Sequence, residues 1–93
     1  MATHNGYTNY QTWVVAATID NTESLYNCFK SAVKEVKAIY PEESRVSTLS
    51  GILKNTVLSM KPYTNNRIWE PLLANAMESI NYPEIARLML EEM

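Results

Sequence analysis

The sequence predicts an all-α fold: one compact domain of four to five helices, bundle-like or orthogonal. Three observations predict it. Apolar residues recur at helical spacing, most clearly Leu25, Cys28, Phe29, Ala32, Val33, Val36, Ile39 and Tyr40, which gather on one side of a helix. Helix-start patterns occur at Thr8-Asn9-Tyr10-Gln11, Asp20-Asn21-Thr22-Glu23 and Asn81-Tyr82-Pro83-Glu84, each pairing a capping side chain with a Gln or Glu three positions on. The breaks between apolar segments carry the turn residues Pro41, Pro62, Asn65 and Asn66. A chain of 93 residues, 46% of them hydrophobic, suits one globular domain spanning 1–93.

Residues 1–7 are polar and without a periodic face, and are expected to form a flexible arm. His4, the single histidine, is expected to be an exposed arm residue, since no second His or Cys stands at metal-ligand spacing. The first helix is expected over Asn9 to Ile19, with Thr8 as its cap and Gln11 reaching back. Its run Trp13, Val14, Val15, Ala16, Ala17 and Ile19 is rich in β-branched residues, so a strand is the rival reading. The start signals at both ends favour the helix. Trp13 is expected in the core, the alternative being an interface anchor.

A second helix is expected over Asn21 to Tyr40, capped by Asp20. Cys28 lies on its apolar face and reads as a buried, inert thiol. Lys30, Lys34 and Lys37 lie on another face, either as solvated surface or as an anion-contacting stripe. Pro41 ends this helix or opens the next. The third helix is expected over Glu42 to Met60, with Val46, Leu49, Ile52, Leu53, Val57 and Met60 facing inward. Gly51 interrupts it, through a close helix approach or plain tolerance. Its many hydroxyls (Ser44, Ser47, Thr48, Ser50, Thr56 and Ser59) suggest a weakly charged surface suited to partial cover by a partner.

Lys61 to Asn66 form the main loop. A fourth helix is expected over Asn66 to Ser79, with Pro71 in its first turn and Ile68, Trp69, Leu72, Leu73, Ala76, Met77 and Ile80 on its apolar side. Asn81 and Glu84 then open a fifth helix over Tyr82 to Met93, with Ile80 and Ile85 as a hydrophobic staple. Glu91 and Glu92 end it where negative charge is unfavourable.

The pattern Asn9, Tyr10, Thr12, Trp13, Val15, Ile19, Asp20, Asn21, Leu25 and Tyr26 resembles a family of small uncharacterised proteins. These are encoded mostly by bacteriophages and mobile elements and typically begin N-Y-E-T-W-x-V-A-L-W-I-x-N. Ile80-Asn81-Tyr82-Pro83-Glu84-Ile85-Ala86 resembles that family's V-[ND]-W-x-E-I-A segment. The two segments cover roughly a third of the chain. Gln11, Ala17 and Tyr82 depart from the pattern, standing where it has an acidic residue and two tryptophans. The resemblance implies a phage accessory protein and supplies no catalytic residue; Trp13, Asp20, Asn21 and Tyr26 enter as motif residues that packing and capping already explain.

Composition narrows the function classes. A net charge of −2 and a pI near 5.3 argue against non-specific nucleic-acid binding. One cysteine excludes an internal disulfide framework and fits a reducing compartment, here the host cytoplasm. Met1 to Gly6 lack the apolar stretch of a signal peptide. Glycine occurs only at Gly6 and Gly51, too sparsely for a phosphate-binding loop. The adjacent pairs Glu42/Glu43 and Glu91/Glu92 point apart on a helix and do not suit shared acid–base work. Catalysis, a cofactor, a metal and a membrane are therefore not expected.

The leading expectation is binding to a host protein, as an inhibitor or adaptor, a host-defence component among the targets considered. The candidate contact residues are Tyr7, Tyr10, Lys30, Lys34, Tyr63 and Arg67. An oligomeric sponge for a small nucleotide is the alternative, with tyrosines stacking on a base and Lys30, Lys34, Lys37 or Arg67 on phosphate. Nucleic-acid binding through the lysine stripe is weaker still. Broad apolar faces make a homo-oligomer plausible.

Overall fold

The computed structural model describes residues 5–60 and 67–93. His4 and the whole of the main loop, Tyr63 included, lie outside the described residues. Five helices make up the described chain: α1 (Tyr10–Asn21), α2 (Glu23–Ile39), α3 (Glu42–Ser59), α4 (Trp69–Glu78) and α5 (Tyr82–Glu92). No described helix is long and apolar enough to cross a membrane.

The inward face of each core helix follows its 3–4 spacing. Helix α1 buries Thr12, Ala16 and Ile19; α2 buries Phe29, Val33 and Val36; α3 buries Leu49 and Leu53; α5 buries Tyr82, Ile85, Ala86 and Met89. These side chains, Thr12 and Val36 apart, form one cluster, with α3 against α5 as the most extensive helix pair. Helix α2 packs on α1 and α3, and α1 closes on α5. Helix α4 is the exception. It has no buried residue, and no α4 side chain belongs to the core cluster or its margin.

The helix junctions correct several sequence expectations. The cap of α1 is Asn9, not Thr8: Asn9 Oδ1 accepts from the Thr12 amide at 2.8 Å. Thr8 is drawn away by Glu84 of α5. Asp20 does not cap α2, because α1 runs two residues further than expected. The bend is the single extended residue Thr22 (φ −113°, ψ 107°), whose carbonyl accepts from Tyr26 and whose side chain makes no cap bond. Asp20 and Asn21 are exposed in the last turn of α1. Pro41 stands before the first turn of α3, and Arg45 in that turn reaches back to the end of α2. Its Nε and Nη2 donate to the Tyr40 and Lys37 carbonyls, both at 3.0 Å, satisfying helix-end acceptors as a basic side chain can.

Other corrections concern faces drawn too wide. Cys28 is exposed, since the line Phe29–Val33–Val36 turns the thiol about 100° away from the core. Ile39, Tyr40, Ile52 and Met60 are exposed as well. Tyr7, assigned to the arm, is half-buried and packs against the core cluster. The turn before it places Asn5 and Gly6 at positive φ, 49° and 87°, a conformation glycine adopts at no steric cost. The hydroxyls of α3 need no covering partner: Ser50, Thr56 and Ser59 donate to carbonyls of their own helix at 2.7–2.8 Å.

No helix approaches Gly51 closely. A Cβ built there meets nothing within 4 Å, which leaves plain tolerance as the reading. Replacing it with alanine removes backbone freedom from the unfolded chain at a helical, open position. Gly51→Ala is expected to raise stability by about 0.5–1 kcal/mol, read from the urea midpoint at unchanged slope.

Candidate functional site

Two features of the surface organise the chemistry, and they differ in kind. The first is a polar clasp joining the starts of α1 and α5. Thr12 Oγ1 donates to Asn9 Oδ1 at 2.7 Å and accepts from the Asn81 amide at 2.9 Å. Asn81 Oδ1 caps α5 by accepting from the Glu84 amide at 3.1 Å, and its Nδ2 donates to Thr8 Oγ1 at 3.4 Å. The Glu84 carboxylate accepts from the Thr8 amide at 2.9 Å and the Thr8 hydroxyl at 3.0 Å. Asn9 Nδ2 donates to the Ser79 carbonyl at 2.6 Å. Every donor here meets an acceptor, and Thr12 is fully buried. The expected box at α5 is therefore half formed. Asn81 caps, while Glu84 serves the other helix.

The clasp accounts for Asn9, Thr12, Asn81 and Glu84 of the two motif segments, but not for the exposed Asp20 and Asn21. Thr12 pairs with Asn81, 69 residues on, and Thr8 with Glu84, 76 residues on. Among the described residues no buried side-chain nitrogen or oxygen lacks a hydrogen-bond partner, so the clasp reads as structural. Beside it, burial first and then the carboxylates of Asp20, Glu92 and Glu84 push the Tyr7 phenol above its ordinary pKa. Burial alone pushes up that of Tyr82.

The second feature is an apolar face shared by α1 and α4. Ile68, Trp69 and Leu72 are 69%, 58% and 54% exposed, and Tyr10 on α1 is 57% exposed. The Tyr10 and Trp13 rings lean together at 5.8 Å and 44°. Trp13 is half-buried, between the two alternatives the sequence left. A cleft of about 190 Å³ runs between the helices, walled by Tyr10, Gln11, Val14, Val15, Leu73, Ala76, Met77 and Ile80. On the other side of α4 a cleft of about 450 Å³ is bordered by Lys54, Leu58, Ala74, Met77, Glu78, Ile80 and Tyr82. Helix α4 thus stands between two clefts, held by the half-buried Leu73, Ala76 and Met77.

The structure groups some predicted residues and scatters others. Tyr10 lies on the α1–α4 face, and exposed Arg67 leads into α4. Lys30 and Lys34 are exposed on α2 and border none of the clefts above. Tyr26 is half-buried on α2. Lys37 shares a third cleft of about 260 Å³ with Arg45, Arg87, Glu42 and Glu91, and no tyrosine lines it. Among the described residues no group of three His, Cys, Asp or Glu side chains is placed to hold a metal ion.

Sequence reasoning missed Ile68, Trp69 and Leu72 as surface residues. The available signal was width. Ile68, Trp69, Leu72, Leu73, Ala76 and Met77 span too much of a ten-residue helix to be buried against one neighbour.

No curated protein and no solved structure matches the chain. A family model does match, over residues 1–93, and the chain belongs to that family, a family of unknown function designated DUF7249.

Proposed function

We propose that this protein is a phage-encoded accessory protein. It acts in the host cytoplasm, without catalysis, by docking its α1–α4 face onto a host protein as an inhibitor or adaptor. One observation carries the reading. The only described helix that gives nothing to the core displays Ile68, Trp69 and Leu72 to solvent. Large aromatic and aliphatic groups exposed beside a shallow apolar cleft are what a protein interface uses. The nucleotide reading has less support, since Lys30 and Lys34 border no cleft described above and the cleft at Lys37 has no tyrosine to stack on a base.

The test is affinity capture from a host lysate with wild-type protein and with Leu72→Gln, a polar, helix-compatible change. Wild type is expected to retain one stoichiometric host protein, and Leu72→Gln to lose it while melting within a few degrees of wild type. Equal capture by both proteins, or none by folded wild type, overturns the assignment of this face.

A further inference from the structure

We propose that the cleft between α3 and α4 binds a small zwitterion with an apolar body, of the class of a free amino acid with a large hydrophobic side chain. This cleft lies on the other side of α4 from the α1–α4 face, and Leu72 does not border it. The proposal therefore goes beyond the docking reading and does not rest on it.

The first argument is size and lining. At about 450 Å³ the cleft falls within the roughly 300–1,000 Å³ of small-molecule sites, which the clefts of about 190 and 260 Å³ do not reach. Two of its sides are helix edges. Lys54 and Leu58, four apart, share an edge of α3, and Ala74, Met77 and Glu78, at three and four apart, share an edge of α4. Ile80 and Tyr82 make the third side. Tyr82 belongs to the core cluster and Ile80 packs against it, so that side is rigid. Leu58, Met77, Ile80 and Tyr82 give all three sides an apolar surface for the body of a ligand.

Charge complementarity sets the class. The cleft has one cation and one carboxylate, and they come from opposite walls: Lys54 from α3 and Glu78 from α4. Its net charge is zero but its field is dipolar. A ligand with both signs is matched by both walls, whereas an ion of either sign meets one attraction and one repulsion. Both side chains are exposed and long enough to bring their charged ends together over an apolar body. The Lys54 ammonium donates to the ligand's carboxylate, and the Glu78 carboxylate accepts from its ammonium. Burial pushes the Tyr82 phenol above its ordinary pKa, so the tyrosine stays neutral and leaves this balance intact.

Occupation has a mechanical consequence. Helix α4 has no buried residue, whereas α3 holds Leu49 and Leu53 in the core. A ligand touching both helices ties α4 to the core and slows its local opening.

The experiment is calorimetric titration of the purified full chain with L-phenylalanine, L-leucine, phenylacetate and phenethylamine. Each amino acid is expected to bind with a Kd of about 0.1–1 mM. Phenylacetate and phenethylamine, which keep the ring and one charge each, are expected to bind about threefold or more weaker than L-phenylalanine. Lys54→Met is expected to weaken L-phenylalanine without weakening phenethylamine, and Glu78→Gln to weaken it without weakening phenylacetate. Both changes are exposed and helix-compatible, and circular dichroism confirms their folding. At saturating L-phenylalanine, amide exchange in α4 is expected to slow severalfold. No binding of either amino acid by folded wild type at millimolar concentration overturns the proposal. So does a singly charged analogue that binds as tightly as L-phenylalanine, a variant that binds it like wild type, or an α4 that gains no protection. Capture of a host protein through Leu72 tests the docking reading alone, and these titrations test the cleft alone.

Discussion

Thr12→Val is expected to cost about 2–4 kcal/mol of unfolding free energy, a large part of what holds a domain of this size together. Valine matches threonine in shape and is close to it in helix propensity, so the change removes one hydroxyl and little else. That hydroxyl is fully buried and bonded on both sides, to Asn9 Oδ1 at 2.7 Å and from the Asn81 amide at 2.9 Å. Without it the Asn81 amide has no acceptor, at a cost of roughly 1–3 kcal/mol. Asn9 Oδ1 keeps the Thr12 amide, its other donor. The loss reaches both helix starts at once, because Asn9 caps α1 and Asn81 caps α5. Thr12→Ser keeps the hydroxyl and loses a methyl group, so it is expected to cost about 1 kcal/mol. Urea unfolding of the two variants decides the matter. A valine variant as stable as the serine variant would mean that the clasp is geometry without energetic weight.

What the sequence made legible follows the range of the physics involved. The helices of α2, α3 and α5 were readable because their caps, prolines and 3–4 apolar spacing act within one or two turns. Phe29, Val33, Leu49, Leu53 and Ile85 were placed correctly on the inward faces for that reason. The clasp was only half readable. Asn81 before Glu84 announced an N-cap, yet the local rule sent Glu84 back to its own helix, whereas the fold sends it to Thr8, 76 residues away. Asp20 failed likewise: it matches a cap pattern, but the chain bends at Thr22 instead. Arg45 closing the end of α2 carried no local signal, since its acceptors lie five and eight residues upstream on another helix. Faces were overdrawn at Cys28 and Ile39 because periodicity fixes a direction but not an arc width. The same limit hid the surface role of Ile68, Trp69 and Leu72, whose hydrophobicity was read as inwardness.

A pair of identical substitutions separates the core from the displayed helix. Leu53→Ala is expected to cost about 2–5 kcal/mol, and Leu72→Ala less than about 0.5 kcal/mol. Leu53 is fully buried in the core cluster on α3, the helix that packs most extensively on α5. Truncating it removes transfer free energy and leaves a cavity that helices held on several sides cannot close. Leu72 is 54% exposed on a helix with no buried residue. The alanine there gives up less burial and gains slightly in helix propensity. Both variants unfold in the same urea titration, so the difference between them is free of most extrapolation error. A cost above about 1.5 kcal/mol for Leu72→Ala would make α4 part of the folding core and remove the reason to assign its apolar residues to a partner. A small cost leaves Leu72 as an aliphatic side chain that the fold displays to water without depending on it, and an exposed group of that kind is explained by what binds it.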